Sequence, residues 1–370
     1  MKKIGLCTFY DDNFGTCLQS YALEKILFKY SDNVEIIRYI RDKNEKSSLV
    51  KRVISKTPKQ LYNAFRLRKR GSLWKNAFNA FRNEKMVFSE EEYDKESDIR
   101  LLVDKYDVFV CGSDMLWSEE FYADWKFYFL GFAPKEKSIA YAPSFGKNEI
   151  YDEHKPLCCE LINDIGYLSC REEAGVQMVY DEFGLKCPQV LDPTFLLSRE
   201  EWNQNLNPDR LVHSKYILTY LFGGIRGERK KNIENFAEKT GYKIVHIPMT
   251  VDEFNSDAYK EKMGPLEFVT LIRDAEYIFT DTFHGTVFSI IFGKQFWVLD
   301  RTDKSKWAKY SDRMISTLKM FNLSNRYICN QKSMNTDEII DFKDINEIID
   351  EKRKDSMNYL MSALKECLDE

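Results

Sequence analysis

Residues 3–39 read KIGLCTFYDDNFGTCLQSYALEKILFKYSDNVEIIRY, and the pattern of this segment indicates the class of fold. Residues 3–10 form a short apolar run that ends in a polar turn, which predicts a buried strand. The segment from Asn13 to Thr16 then opens a helix, and either of those two residues can cap it. Residues 34–39 predict a second strand. A strand–helix–strand unit of this kind predicts a parallel sheet.

The same alternation returns after residue 107, where four more strands are predicted over 108–111, 138–142, 167–170 and 189–191. Each of them stops in a loop of polar or small residues: Gly112-Ser113-Asp114, Pro143 to Gly146, Arg171-Glu172-Glu173 and Asp192-Pro193-Thr194. In open α/β sheets, ligands lie outside the carboxyl ends of the strands. These loops are therefore expected to line one edge of the sheet together.

A polar stretch over residues 198–214 is interpreted as a linker, and a second strand–helix series follows from residue 216. We therefore expect an α/β protein with two Rossmann-like parallel-sheet domains. The predicted bounds are 1–205 and 206–335, with C-terminal helices over 336–370. This organisation resembles the two-Rossmann GT-B architecture, in which a ligand would bind in a cleft between the domains.

The region 45–100 interrupts the pattern of the first domain. It is rich in Lys, Arg, Glu and Ser and carries aromatic residues at helical spacing, which predicts a helical insertion. Two interpretations remain open for it. It is either a solvated helical hairpin, or a basic amphipathic surface that covers the site or meets an anionic lipid carrier or membrane.

Length and composition narrow the class of protein. A chain of 370 residues is long enough for two domains of roughly 100–200 residues each. Hydrophobic residues make up 44% and charged residues 31%, as in soluble globular proteins. A net charge of −4 argues against a nucleic-acid partner. No Gly-x-Gly-x-x-Gly follows the first strand, which argues against a dinucleotide enzyme.

The sequence also predicts a cytoplasmic protein. We find no export segment near the first residues and no run of the ~18 apolar residues that a membrane span needs. The nine cysteines lack a framework spacing, which favours a reducing compartment. Cys158 and Cys159 are adjacent, which is poor geometry for a metal site, so no metal is expected.

Four local motifs, in their order along the chain, resemble the polysaccharide pyruvyl transferase family. They are Asn13 to Leu23; Gly112 to Trp117; Ser169 to Glu173 together with Asp192 to Leu197; and Thr280 to Thr286. Together they span residues 1–300, most of the chain. Many members of the family carry an Arg two residues before the motif histidine, and Thr282 stands at that place in this chain.

The resemblance implies transfer of the enolpyruvyl unit of phosphoenolpyruvate to sugar hydroxyls as a ketal, in cell-surface polysaccharide biosynthesis. The implied partners are phosphoenolpyruvate as donor substrate, with no cofactor, and a lipid-linked or nucleotide-linked sugar acceptor. A lipid-linked acceptor would bring the protein to the inner face of the membrane. Two alternatives stay open: a GT-B glycosyltransferase that uses a nucleotide sugar, and a non-catalytic carbohydrate-binding protein.

Two residues are candidates for proton transfer. His284 follows a predicted strand and begins a helix, and histidine exchanges protons near neutral pH. Its alternative role is to cap that helix or bond a backbone carbonyl. Asp114 follows a strand and a glycine, so it can accept a proton from a sugar hydroxyl or merely cap a helix. Trp117 nearby either stacks on a sugar ring or packs in the core.

The donor's phosphate and carboxylate require cations and N–H donors. Arg171 is the first-domain candidate, with an ion pair to Glu172 or Glu173 as the alternative. In the second domain, Gly223 and Gly224 let the backbone approach a phosphate, and Arg226 follows them. Several further cations could replace the Arg expected at Thr282: Lys294, Arg301, Lys304, Lys306 and Arg313.

The remaining candidate substrate contacts are small or polar residues of the same loops: Asn13, Gly15, Gln19, Gly112, Ser113, Asp281, Thr282 and Gly285. Two of them have a specific alternative. Asn13 could serve only as a helix cap, and Asp281 could pair with His284 or hold a cation.

Overall fold

The computed structural model of the protein describes residues 2–41, 74–94, 97–147, 149–249, 259, 261–301, 312–328 and 338–369. The chain forms two compact units. The first takes its residues from 1–45, 82–197 and 347–370, and the second takes its residues from 46–81 and 198–346. The main division falls between Leu197 and Ser198, close to the predicted bound at 205. Lys304, Lys306 and residues 45–73, 95 and 96 of the predicted insertion lie outside the described residues.

The first unit is built on a five-stranded parallel sheet. Its strands are β1 (Ile4–Cys7), β2 (Val34–Ile40), β3 (Phe88–Asp94), β4 (Val108–Cys111) and β5 (Ser138–Ala140). The helices along this part of the chain are α1 (Phe14–Leu27), α2 (74–85), α3 (Trp125–Tyr128), α4 (Lys155–Asn163) and α5 (Glu173–Phe183). Short 3₁₀ turns cover Ile99–Leu102, Glu119–Asp124, Lys135–Lys137 and Pro193–Phe195.

The strand order of this sheet is β3-β2-β1-β4-β5. This is the doubly wound order, in which the direction of winding reverses between β1 and β4. Every residue of β1 and β4 is buried, as expected for central strands covered on both faces. In α1, all residues except Lys25 are buried, so the helix is enclosed on nearly every side. The loops after β1 and β4 therefore meet at the point where such sheets bind ligands.

The second unit contains another five-stranded parallel sheet. Its strands are β6 (Tyr216–Tyr220), β7 (Lys243–His246), β8 (Tyr277–Thr280), β9 (Gln295–Leu299) and β10 (Tyr327–Ile328). Its helices are α6 (Arg199–Asn203), α7 (Gly227–Thr240), α8 (Pro265–Asp274), α9 (Phe283–Ile291) and α10 (Asp312–Met320). The order is β10-β9-β8-β6-β7, so the winding reverses between β6 and β8.

These sheets confirm the predicted α/β class with two parallel sheets, although several details differ. Residues 88–94 form a strand inside the segment that was predicted to be helical. The predicted strands 167–170 and 189–191 are reduced to isolated bridges, Ile139 with Tyr167 and Cys170 with Gln189. Trp117 is fully buried and stacks on Phe129 at 4.5 Å, so it belongs to the core of the first unit.

The C-terminal region contains one long helix, α11 (Lys343–Asp369), and most of it packs within the first unit. The Tyr359 hydroxyl donates to the carbonyl of Ala140 at 3.0 Å, at the end of β5. The Ser356 hydroxyl accepts from the backbone N–H of Leu191 at 2.9 Å. Leu360 is completely buried. The helix therefore supports the loop that carries Asp192.

Candidate functional site

At the switch point of the first sheet, Gln19 joins the loops after β1 and β4. Its amide nitrogen donates to the Thr8 hydroxyl (3.0 Å) and to the Phe9 carbonyl (3.2 Å). Its amide oxygen accepts from the backbone N–H of Ser113 (2.9 Å). Because Gln19 has no exposed surface, these bonds give it a positioning role, and the predicted substrate contact has no support in the geometry.

The start of α1 follows the predicted pattern. Asn13 is exposed, and its side-chain oxygen accepts from the backbone N–H of Thr16 at 3.2 Å, so it caps the helix. Gly15 is buried in the first turn. The Thr16 hydroxyl donates to Asp114 Oδ2 at 2.7 Å. The first turn of α1 therefore links the β1 loop to the candidate carboxylate.

The segment Gly112-Ser113-Asp114 forms a tight bend after β4. A Cβ at Gly112 would lie 1.8 Å from the Tyr141 carbonyl oxygen, and φ is +141°, so only glycine fits there. Asp114 adopts the left-handed conformation (φ 69°), which Asp tolerates better than most residues. No described helix begins at Asp114, so the alternative role of a helix cap is not observed.

Ser113 is buried beneath this bend. Its hydroxyl donates to the carbonyl of Ala142 at 2.7 Å and lies 3.3 Å from Asp192 Oδ2. Ala142 has φ 55°, a costly conformation for alanine, and its N–H donates to the Ser169 hydroxyl. Such backbone strain often marks functional loops. Ser113 therefore stabilises the loop after β5, and the predicted contact between Ser113 and substrate is not supported.

Arg171 lies in a cage of carboxylates, with only 3% of its side chain exposed. Its guanidinium is 3.0 Å from Asp192, 3.3 Å from Glu172 and 3.9 Å from Asp114. Burial lowers the pKa of Arg171, and the three carboxylates raise it by more, so it stays charged. Three carboxylates around one cation leave an excess of negative charge. This geometry favours the alternative ion pair with Glu172 and disfavours the predicted anion-binding role.

At the switch point of the second sheet, Asp281 organises the loops after β6 and β8. Its carboxylate accepts from the backbone N–H groups of Phe222 (2.7 Å) and Gly223 (2.9 Å). It also accepts from Arg229 Nη1 at 3.2 Å, and Arg301 Nε lies 4.0 Å from Oδ1. Asp281 is fully buried. Of the two predicted alternatives, Asp281 holds cations, because Arg229 and Arg301 both lie against its carboxylate.

The backbone of the predicted phosphate-binding loop, Gly223 and Gly224, already makes hydrogen bonds within the protein. The N–H of Gly223 bonds Asp281, and the carbonyl of Gly224 accepts from Arg229 Nη1 at 3.1 Å. Direct binding of a phosphate by the Gly223 N–H would require this bond to break. Arg226 is exposed at the start of α7, where a substrate could reach it, so its predicted role stays a prediction.

Thr282 and Gly285 shape the start of α9. The Thr282 hydroxyl accepts from the Gly285 N–H at 3.1 Å and lies 2.9 Å from the Thr280 hydroxyl. A Cβ on Gly285 would fall 2.3 Å from the Thr280 hydroxyl oxygen, so a side chain does not fit there. Both residues are buried. Thr282 caps α9, and Gly285 allows the helix backbone to lie close to the Thr280 side chain. Substrate contact by either residue is not supported.

His284 is the second residue of α9 and is 9% exposed. Its ring meets the ring of Phe283 edge to face, with centroids 5.0 Å apart. The N-terminal turn of a helix carries partial positive charge, which attracts anions. A histidine at such a position, directly after the Asp281 cluster, suits proton transfer to a bound anion.

Arg229 is a functional residue that was not predicted from the sequence, and Arg301 was predicted only as one of several candidate cations. Arg229 is 4% exposed and lies inside α7. A basic residue in the first turn of a helix that follows a glycine loop is a weak signal. Its partner Asp281 is 52 residues away in the chain, and only the fold brings the two together.

Among the residues that the structure describes, no group of three or more His, Cys, Asp or Glu side chains could hold a metal ion. Within the same part of the chain, no helix is long and apolar enough to cross a membrane.

The two sheets define a two-Rossmann protein of the GT-B-like class, with polar clusters at both switch points. The family model of the polysaccharide pyruvyl transferases matches residues 13–303, and the chain belongs to this family. The family places it among the transferases of polysaccharide biosynthesis. No curated protein matches its sequence significantly.

Solved structures with a similar fold include two sugar-nucleotide enzymes. The UDP-GlcNAc 2-epimerase of Methanocaldococcus jannaschii is 13% identical with a TM-score of 0.53, covering 96% of this chain and 93% of that chain. A Listeria monocytogenes protein assigned as a UDP-N-acetylglucosamine 2-epimerase is 10% identical with a TM-score of 0.52, covering 99% and 96%. At these identities the similarity shows the fold alone.

Proposed function

We propose that the protein transfers the enolpyruvyl unit of phosphoenolpyruvate to two hydroxyls of a sugar, forming a ketal. The observation that carries this proposal is the charge of the Asp281 cluster. Two guanidinium groups, Arg229 and Arg301, approach one carboxylate, which leaves a net positive charge directly before His284. A small anion whose carbon accepts a proton requires a positive environment, which the cluster supplies, and a proton donor, which is His284.

In this scheme the donor is assigned to the second unit. Phosphoenolpyruvate carries a phosphate and a carboxylate, which guanidinium groups and a helix N-terminus stabilise. Arg301 supplies one group, because its Nε donates to the Asp281 carbonyl at 3.0 Å and is thereby oriented. Arg226 is exposed and is assigned to a second oxygen of the donor. These residues take the place of the Arg that the family usually carries at position 282.

His284, in its protonated form, gives a proton to C3 of the enol. C2 then becomes electrophilic, and the oxygen of a sugar hydroxyl attacks it while a base takes the hydroxyl proton. A second hydroxyl then displaces phosphate and closes the ketal. The positive cluster stabilises the negative charge that grows on the departing phosphate.

The acceptor is assigned to the first unit, because its cluster has the opposite charge. Asp114, Glu172 and Asp192 surround a single cation, and carboxylates accept hydrogen bonds from sugar hydroxyls. Asp114 is 8% exposed and is the candidate base. Its Oδ2 already accepts from Thr16, which orients the carboxylate.

The direct test is an assay with phosphoenolpyruvate and a panel of nucleotide-linked and lipid-linked sugars. We expect one acceptor to gain a pyruvyl group, with one phosphate released for each ketal formed. The His284→Ala variant should lose at least about 100-fold in turnover, the usual contribution of a general acid. The His213→Ala variant is a matched control, because His213 is exposed in the connecting segment.

A melting temperature separates chemistry from folding in this experiment. His284→Ala and the more conservative His284→Gln should both be inactive and melt close to the unaltered protein. A large fall in melting temperature for both variants would instead make the ring a structural part. Release of a nucleotide from a nucleotide sugar, without consumption of phosphoenolpyruvate, would establish the glycosyltransferase alternative.

A further inference from the structure

Outside both clusters, the fold of the first unit brings two thiols together. The sulfur atoms of Cys170 and Cys187 lie 3.8 Å apart, and both cysteines are free. Cys170 is fully buried, whereas Cys187 is partly exposed.

The backbone holds the two cysteines in this arrangement. The N–H of Cys170 donates to the Pro188 carbonyl at 3.1 Å, and the N–H of Val190 donates to the Cys170 carbonyl at 2.9 Å. A disulfide bond of about 2.05 Å requires the sulfurs to move closer by about 1.8 Å. The two chain segments are already held together by these backbone hydrogen bonds. Most of the movement would therefore come from rotation of the two cysteine side chains. The cross-link would close a loop that carries α5.

We propose that Cys170 and Cys187 are a site of reversible oxidative modification, converted to an intramolecular disulfide by a small-molecule disulfide such as glutathione disulfide. This site is independent of the proposed substrates. It lies next to the carboxylate cage, because Cys170 directly precedes Arg171 and the Gln189 amide donates to the Arg171 carbonyl at 3.2 Å.

The exchange proceeds in two balanced steps. The Cys187 thiolate attacks one sulfur of the small disulfide, forming a mixed disulfide and releasing one small thiolate. The Cys170 thiol then loses its proton, and its sulfur attacks Cys187 and expels the second small thiolate. Two protein thiols are oxidised to one disulfide, and one small disulfide is reduced to two small thiols.

Exposure and hydrogen bonding set this order of attack. The incoming reagent can reach Cys187, whereas Cys170 is enclosed. The hydrogen bond between the two sulfurs lowers the pKa of Cys187, which favours its thiolate, and raises the pKa of Cys170. Burial raises the pKa of Cys170 further. Cys170 therefore acts as the resolving thiol.

The test is mass spectrometry of the fully reduced protein after incubation with glutathione disulfide. We expect a loss of two hydrogens, located by fragmentation to a cross-link between the peptide with Cys170 and the peptide that begins at Cys187. Cys159 is exposed in α4 and serves as the internal control. A glutathionyl group should persist there, whereas none should accumulate on Cys187.

Two variants define the outcome. Cys187→Ser should abolish the cross-link, and Cys159→Ser should remove only the persistent glutathionyl group. A glutathionyl group that persists on Cys187 of the unaltered protein, without any cross-link, would overturn the proposal. So would complete protection of Cys187 under conditions in which Cys159 reacts.

Discussion

At the scale of single residues, Arg171 shows how a basic residue at a strand end can have a structural role. A guanidinium that is removed from water needs carboxylates around it, and three of them lie within 4 Å. Removing one partner from such a group leaves uncompensated buried charge. We therefore expect Arg171 to position Asp114 and Asp192 rather than to contact the donor.

The Arg171→Lys variant tests this assignment. Lysine keeps the charge but cannot reproduce the planar fork, so hydrogen bonds to at least one carboxylate are lost. We expect the free energy of unfolding to fall by about 1.5–3 kcal/mol, the usual value of a hydrogen bond to a charged group. The KM for phosphoenolpyruvate should stay nearly constant. Chemical denaturation and steady-state kinetics measure the two quantities.

Arg226→Lys is the matched control for that experiment, because Arg226 is exposed at the start of α7. It should leave stability unchanged and raise the KM for phosphoenolpyruvate. If Arg171→Lys raised that KM while its stability stayed normal, Arg171 would belong to the donor site after all.

The same residues show how far sequence reasoning reaches at a site. Asn13 as a cap and His284 at a helix start follow from local spacing, which the sequence contains directly. In the cage, Arg171 meets Asp192 from 21 positions away and Asp114 from 57, and Arg229 meets Asp281 from 52 positions away. The partners of these residues depend on which loops the sheet brings together. A single sequence does not contain that information.

At the scale of elements, β3 was missed because it is an edge strand. Its residues read FSEEEYD, and only Ser89 and Tyr93 are buried. Edge strands commonly carry charges that prevent pairing with other molecules, so the apolar alternation that reveals a strand is absent. The central strands β1 and β4 have the opposite character and were predicted closely.

Glu24 connects α1 to the residue before β3 and makes this contact sensitive to pH. Its Oε1 accepts from the Val87 N–H at 2.6 Å. Burial raises the pKa of Glu24 to about 7, although Val87 and Lys25 oppose the shift. The folded state therefore binds a proton that the unfolded state loses near its ordinary value of 4.5. Stability from this group is present below that value and is lost as the pH rises to about 7.

The Glu24→Gln variant should remove this dependence. Glutamine can still accept from Val87 but cannot ionise, so at pH 8 the variant should be more stable by up to about 3 kcal/mol. The advantage should vanish near pH 4.5. Thermal unfolding across this range measures it, and Glu84→Gln, an exposed position in α2, is the control. An equal stability difference at both pH values would contradict the assigned ionisation.

At the scale of the whole molecule, both sheets carry a charged cluster where the direction of winding reverses, although their strand orders differ. One winding reverses between β1 and β4, the other between β6 and β8, and a charged cluster lies at each reversal. The clusters differ in sign because one cation faces three carboxylates in the first, whereas two cations face one carboxylate in the second. This difference supports separate assignments for hydroxyl acceptor and anionic donor. The predicted cleft between the domains stays a prediction.

The C-terminal helix shows a second limit of sequence reasoning at this scale. The spacing of its apolar residues predicts a helix, yet it does not say which part of the chain the helix covers. Residues 347–370 belong to the first unit, although more than 140 residues of the second unit precede them in the chain. A side-chain contact such as Tyr359 with Ala140 bridges 219 positions.

Leu360→Ala tests whether α11 stabilises the first unit in particular. Leu360 is completely buried, whereas the adjacent Met361 is 45% exposed and provides the control Met361→Ala. We expect Leu360→Ala to lower the free energy of unfolding by about 2–5 kcal/mol, because it removes buried methyl groups and leaves a cavity. The control should stay within about 0.5 kcal/mol of the unaltered protein.

Hydrogen exchange should rise in peptides from β5 and the Asp192 loop, which α11 contacts, and stay unchanged in β6 and β8. Equal exchange in both sheets would show that the helix does not belong to the first unit, and the support it gives to the Asp192 loop would then have to come from elsewhere.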